Sequence, residues 1–487
     1  MASPPLTAGD RVGDPPLGLG TRIAFGFGAV ASGVKNQGFA YFLLIFYSQV
    51  IGLDARLVGL AITIALVFDA LSDPIVATWS DNLHSRWGRR HPFIYASAVP
   101  LALAYLLIWN PPEGWSDGAL FLWLVSLAVI IRTCMTFFEV PATALAPELV
   151  SGYDERSSLL SLRTFFGWTG GNLMSVLMFA AVFPAFVTAD IPNGQFNRES
   201  YTVYAFIAAG LIFLAILVAG LGTHRHIPHL KAPPPRRALT IGLLFRETFE
   251  TLRTRSFAAL FGATLIGAIA SGLAAALAFY LYTYFWRFSS LQIALLTSGV
   301  FVSAVIGGLL APVISRRMGK KRGAILVGLA AFVGSPLPIL LRLAGILPDT
   351  PWAFWFVLGA TLVDVGLIIC FQILVASMMA DLVEQAEVRT GRRSEAIFFA
   401  ATSFAGKMVT GLGVTLASLL IAAAGLQAGA SPAEVPAEVS NRLASYYAPA
   451  ILTLWMTMML VLSFYTIKRE DHQANLDMLA ARRQASS

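Results

Sequence analysis

The chain has 487 residues, of which 57% are hydrophobic and only 13% are charged, against the roughly 25% charged residues of soluble domains. So few charges cannot cover a water-facing surface of this size, and apolar runs of about 20 residues, the length that crosses a bilayer, recur along the chain. The net charge of +7 would suit nucleic acid, but the basic residues sit in short loops between apolar runs, which argues against that partner and makes the lipid bilayer the solvent.

Residues 1–21 are rich in Pro and Gly, lack the apolar core of a signal peptide, and are expected to form a cytoplasmic tail. Spans near 22–50, 55–80, 92–110, 118–148, 158–185 and 203–222 form a first six-helix bundle over 22–222. A linker at 223–256 is basic, and its His224, His226 and His229 suit lipid headgroups better than metal spacing. After a Pro run at 233–235, Ile241, Leu244, Phe245, Phe249 and Leu252 recur at helical spacing. They fit either an amphipathic helix on the inner leaflet, with Arg246, Arg253 and Arg255 near lipid phosphates, or a solvated linker. Spans near 257–285, 291–315, 323–345, 351–380, 395–424 and 445–467 form a second bundle over 257–467, followed by a cytoplasmic tail at 468–487.

The expected fold class is therefore an all-α integral membrane protein with 12 transmembrane helices. Of the 34 Lys and Arg residues, 26 fall on the side of the termini and four, Arg56, Arg198, Arg287 and Arg442, in opposite loops, so both termini are expected in the cytoplasm of a multi-pass protein of the cell inner (plasma) membrane. Cys134 and Cys370 lie inside apolar spans and offer neither a disulfide framework nor a metal site.

The two halves repeat weakly. SRWGRRHP at 85–92 corresponds to SRRMGKKRG at 315–323, and SGVKNQGFAYFLLIFY at 32–47 to SGLAAALAFYLYTYFW at 271–286. Parallel six-helix repeats build carriers that hold a solute at the midplane between pseudo-symmetric bundles, the major facilitator fold.

Ionisable groups at membrane depth are costly and mark sites. In FDALSDP at 68–74, Asp69 and Asp73 stand one helical turn apart on one face. Such a pair requires a cation, a proton or a basic side chain between its members, as a coupling-ion site does. On the fourth span, Arg132, Thr136, Glu139 and Thr143 share a stripe. Thr136 can give a neutral oxygen to a hard cation such as sodium, and Glu139 is a carboxylate placed for an ion or a solute hydroxyl. Lys35, Asn36 and Lys407 complete a polar cavity holding three formal negative and three positive charges. A packing role competes most strongly at Arg132, whose guanidinium can satisfy Asp69 or Asp73 and displace sodium. The repeat aligns Asp69 with Val300 and Asp73 with Ala304, so ion coupling is expected in the first half alone.

Four segments together resemble the melibiose permease-like, glycoside-pentoside-hexuronide:cation symporter family of the major facilitator superfamily: FDALSDPIVATWSDNLHSRWGRRHPFI at 68–94, TFFEVPATALAPEL at 136–149, LRTFFG at 162–167 and MADLVEQAEVRTGRRSEAIFFAATSFAGK at 379–407. The resemblance implies that Asp69, Asp73 and Thr136 bind the coupling cation, sodium or a proton. It implies that Glu139 and Arg163 belong to the sugar site, Arg163 also to an inner gate, and that Lys407 couples the two sites. Asn36 stands where the family has a second sugar-binding Asp, Thr143 where it has a ring-stacking Trp, and Arg132 where it has a small residue. With Lys35, these residues make up the expected solute site.

The expected function is cation-coupled symport of a sugar or glycoside by a monomer, without cofactor or enzymatic activity. The alternatives are a lysolipid or other amphiphile carrier of the same fold, an uncoupled carrier with Arg132 as internal counter-ion, and a sensor that retains the fold without transport. No nucleophile, base and oxyanion set is present, and Ser85 and His91 read as loop anchors.

Overall fold

The computed structural model describes residues 17–150, 153–229, 255–390, 395–466 and 478, with side chains except at 153–154, 229, 383–390 and 395–404. In hydrocarbon every backbone polar group must bond within its own segment, which leaves these apolar runs the helix as their form. Among the described residues twelve spans follow: α1 (19–50), α2 (Ala55–Asn82), α3 (His91–Ile108), α4 (Asp117–Leu149), α5 (Glu155–Ala185), α6 (Arg198–His224), α7 (Arg255–Phe285), α8 (Ser290–Met318), α9 (Lys320–Leu343), α10 (Pro351–Thr390), α11 (Glu395–Ala424) and α12 (Ala437–Ser463). Eleven are long and apolar enough to cross a membrane by length and composition, with π turns at Met178–Val182 in α5 and Leu281–Phe285 in α7. The first, α1, is broken at Gly28 and carries π turns at Gly38–Phe42 and Phe46–Val50.

Helix ends follow the local chemistry. The Asp54 carboxylate caps α2 by accepting from the Arg56 N–H at 2.8 Å, and Ser289 and Gln292 close a reciprocal capping box on α8. Two sequence limits shift: α10 continues past the apolar run to Thr390 and α12 begins at Ala437, because polar residues extend a helix where water can solvate them. The possible amphipathic helix at 241–252 lies outside the described residues.

The repeat has a direct structural counterpart. Gly88 and Gly319, aligned between the halves, both adopt positive φ, 71° and 77°, a conformation that glycine takes without steric cost. Gly33 of α1 and Gly272 of α7 are likewise aligned, and each lets its helix meet a glycine of a partner span. A Cβ on Gly33 would stand 1.8 Å from the Gly167 carbonyl oxygen of α5. One on Gly272 would stand 2.5 Å from the Thr410 carbonyl oxygen and 3.4 Å from Gly413 Cα, both of α11. Small residues that bring backbones together are a main source of helix association in lipid.

The halves meet along α2 and α11, which run antiparallel, and along α5 and α8. Thr63 of α2 hydrogen-bonds to the Gly411 carbonyl at 2.9 Å and lies 2.7 Å from Thr415 Oγ1. At the end remote from the termini the halves are sealed. Ser48 bonds Tyr280 through their hydroxyls, Gly429 N–H donates to the Ser48 carbonyl at 2.9 Å, Thr283 donates to Gln195 at 2.9 Å, and Tyr284 donates to Gln49 Oε1 at 3.0 Å. The interior cavities draw residues instead from the side of the termini, among them Leu160, Ala263, Met379 and Leu462.

Gly33→Val is expected to cost about 1–3 kcal/mol through overpacking, or to prevent folding, read as a lowered Tm in detergent. Gly20→Ala, where a Cβ meets nothing within 4 Å, should leave Tm unchanged; equal effects from both substitutions would refute the close α1–α5 approach.

Candidate functional site

The site begins with the one-turn spacing of Asp69 and Asp73, which turns both carboxylates of α2 toward α4 and α11. Pro74 follows inside the helix and cannot donate to the carbonyl one turn back, and the Ser72 hydroxyl bonds the Asp69 carbonyl at 3.0 Å. Thr136 Oγ1 of α4 lies 3.1 Å from Asp69 Oδ1 and 2.9 Å from Asp73 Oδ1, and its single proton serves one of them at a time. Three oxygens thus converge where the sequence placed a cation site.

Two basic side chains hold the acids in this conformation. Arg132 Nη1 donates to Asp69 Oδ2 at 3.2 Å, and its guanidinium sits 5.2 Å from the centre of the Phe39 ring. Lys407 Nζ, from α11 of the other half, lies 2.6 Å from Asp73 Oδ2 and 3.3 Å from Asp69 Oδ2. The competing role weighed for Arg132 is therefore present at Asp69, while Asp73 is held across the half-to-half seam by Lys407. Two acids face two bases, so the cluster is balanced by groups of the chain itself. Lys35 is buried, donates to Asn36 Oδ1 at 2.7 Å, and feels the Asp69 charge.

Next to this cluster is a cavity of about 440 Å³ whose wall includes Asn36, Glu139, Thr143 and Arg163. The Glu139 carboxylate enters no ion pair among the described residues. Its backbone carbonyl accepts from Thr143 at 2.7 Å and from Arg163 Nη2 at 3.5 Å, and the Arg163 guanidinium packs 5.7 and 5.8 Å from the rings of Phe25 and Phe138. Four residues expected at the solute site thus come together; Lys35 and Arg132 lie behind this wall, with the ion pairs.

A second cavity of about 770 Å³ adjoins the first, sharing Gln37 and Asn172. Its wall comes mainly from the second half and carries Tyr41, Tyr282, Trp286, Tyr447 and Trp455, with Asp364 as its one charged residue. Asp364, Gln37 and Asn172 escaped the sequence reading. The rule that exposed Asp69 finds Asp364 as well, an acid within WFVLGATLVDVGLIIC at 355–370; the polar amides give no such signal.

The basic loops act as anchors. Ser85 donates to the Gly88 carbonyl at 2.6 Å, and His91 Nε2 lies 3.0 Å from Thr223 Oγ1. Arg90 meets Glu148 at 3.1 Å in the first half, and Lys320 meets Asp381 at 2.6 Å in the second.

The sequence profile described as "MFS/sugar transport protein" matches residues 24–469. The inner membrane symporter YicJ of Escherichia coli K12 is 23% identical, over 95% of this chain and 95% of its own. The sphingosine-1-phosphate transporter MFSD2B of Mus musculus is 27% identical, over 85% of this chain and 83% of its own. Among solved structures, a bacterial homologue of the human lysosomal transporter Spinster, inward-facing and unoccupied, superposes with a TM-score of 0.59 at 16% identity, covering 95% of this chain and 97% of that one. With the twelve-span fold, these likenesses make the chain a multi-pass membrane transporter rather than an enzyme; it belongs to the MFS/sugar transport family, and its similarity to YicJ agrees with the resemblance to the glycoside-pentoside-hexuronide:cation symporters.

Proposed function

We propose that the protein couples entry of a cation, sodium or a proton, to uptake of a sugar or glycoside by alternating access, as a monomer of the cell's inner membrane with its termini in the cytoplasm. The observation that carries this reading is the bridge from Lys407 of the second half to Asp73 and Asp69 of the first, at 2.6 and 3.3 Å.

A symporter must not cycle with its acids bare, because an uncompensated carboxylate in low dielectric is costly. Lys407 neutralises the pair when no travelling cation does. A cation entering among Asp69, Asp73 and Thr136 competes with that ammonium and releases it, loosening the seam between halves. The cation's binding free energy is thereby tied to the equilibrium between conformations, which is what coupling requires. The bonds that seal the far end, and cavity walls that reach toward the termini, support reading this conformation as inward-facing. Arg132 stays on Asp69 as a lasting counter-charge, and Lys407 is the exchangeable one. The solute occupies the wall of Asn36, Glu139, Thr143 and Arg163, where hydroxyls meet both a carboxylate and a guanidinium.

In membrane vesicles, accumulation of at least one member of a labelled sugar panel should follow an imposed sodium or proton gradient, and Asp73→Asn should abolish that accumulation. Uptake indifferent to both gradients, or stabilisation of the purified protein by lysolipids and by no sugar, overturns the proposal.

The Arg132–Asp69 pair gives an independent check. Removing one partner of a buried pair costs about 3–5 kcal/mol, so Arg132→Leu should lower Tm markedly and Asp69→Asn combined with it should recover most of the loss. Additive losses in the double variant would show that the two side chains do not act as a pair.

A further inference from the structure

The larger cavity holds a feature that the ion-coupling cluster does not use. Asp364 lies about a third of the way along α10, on the face that also brings Val357, Thr361, Ile368 and Gln372 to the cavity wall. Its Oδ1 is buried and has no hydrogen-bond partner among the described residues. Ser335 and Gly334, at the irregular turn that splits α9, line the same cavity as Asp364. No Lys or Arg lines this cavity. A buried carboxyl oxygen left without a partner is expensive, and such groups persist where a ligand completes them.

The surroundings indicate which ligand. Tyr41, Tyr282, Trp286, Tyr447 and Trp455 present aromatic surface to the same cavity, and about 770 Å³ lies within the range of small-molecule sites. A pyranose has hydroxyl edges that donate to a carboxylate and C–H faces that lie against aromatic rings. The wall of the first half offers hydrogen-bonding groups, but Trp168 is its one aromatic residue.

We propose that Asp364 is a solute-binding carboxylate and that the second half, through Asp364 and its aromatic wall, binds one sugar ring of the transported glycoside while Glu139 and Arg163 hold its other end. The inference deepens the sugar reading and rests on it. The shared residues Gln37 and Asn172 lie where the two subsites join, so one disaccharide-sized solute spans both halves. A solute that bridges the halves stabilises whichever conformation brings both walls within reach.

The test is ligand binding to the purified full-length protein, read by thermal shift across monosaccharides, disaccharides, aryl glycosides and choline, with wild type, Asp364→Asn and Thr361→Met. Asp364→Asn removes the charge of a carboxylate whose Oδ1 lacks a partner while keeping its shape, so Tm without ligand should hold or rise, while Kd for the best sugar rises about 10- to 100-fold, the loss of a charged hydrogen bond. Thr361→Met, which narrows the same wall one turn away, should weaken the same sugars, and disaccharides more than monosaccharides. If Asp364→Asn binds sugar as well as wild type, or lowers Tm with affinity unchanged, Asp364 is a structural residue and this proposal falls, while gradient-driven uptake can still stand. Should Asp364→Asn fail to fold, unchanged sugar affinity in Thr361→Met overturns it. Stabilisation by choline and by no sugar refutes both this proposal and the sugar reading.

Discussion

The balance of charge at the junction of α2, α4 and α11 governs the rest of the structure. Two carboxylates one turn apart in a medium of low dielectric must be neutralised at all times, and here the neutralising groups come from different places. Arg132 shares its half of the molecule with Asp69 and moves with it. Lys407 belongs to the other half, so its contact with Asp73 lasts only while the halves stay in register along the seam. An electrostatic requirement at one point is thereby turned into a constraint on how two rigid bundles sit against each other.

The seam is built to hold that register. From the far end inward, Gly59 faces Ser418, Thr63 meets Gly411 and Thr415, and the acids meet Lys407. These contacts pair small or polar groups at successive turns of two antiparallel helices. Displacing α11 from α2 breaks several of them together, which favours two discrete arrangements over a continuum. The polar latch at the far end, from Ser48, Gln49 and Gln195 to Tyr280, Thr283 and Tyr284, belongs to the same arrangement, and the proposed alternating access requires it to part.

Within this frame the halves share a backbone plan and differ in chemistry. The glycine contacts of α1 with α5 and of α7 with α11 match across the repeat, as do the positive-φ glycines after α2 and α8. Side chains on that plan diverge: the first half carries the acid pair, Arg132 and Arg163, and the second carries Asp364 with Tyr282, Trp286, Tyr447 and Trp455, to which Tyr41 of the first half is added. In the proposed function the charged cluster takes the ion, and the two adjoining cavities take the solute.

Much of this was legible in the sequence. Span count, two-bundle organisation and the basic loops follow from hydropathy and the placement of Lys and Arg, because hydrocarbon tolerates neither bare backbone nor stray charge. The acid pair and Thr136 were legible too, since helical spacing alone puts Asp69 and Asp73 on one face and Thr136 one turn from Arg132. Spacing along one helix says nothing of rotation about its axis relative to another, so it could not decide which base met which acid, or that Lys35 and Arg132 stand behind the cavity wall while Arg163 stands in it. Asp364 and the aromatic wall come from α1, α7, α10 and α12, remote in sequence, and only the packing of those helices brings them around one space. The chain by itself thus determined the protein's solvent, its spans and its charged groups. Tertiary structure decided their partners, because a partner is a matter of distance in space and a sequence records distance only along the chain.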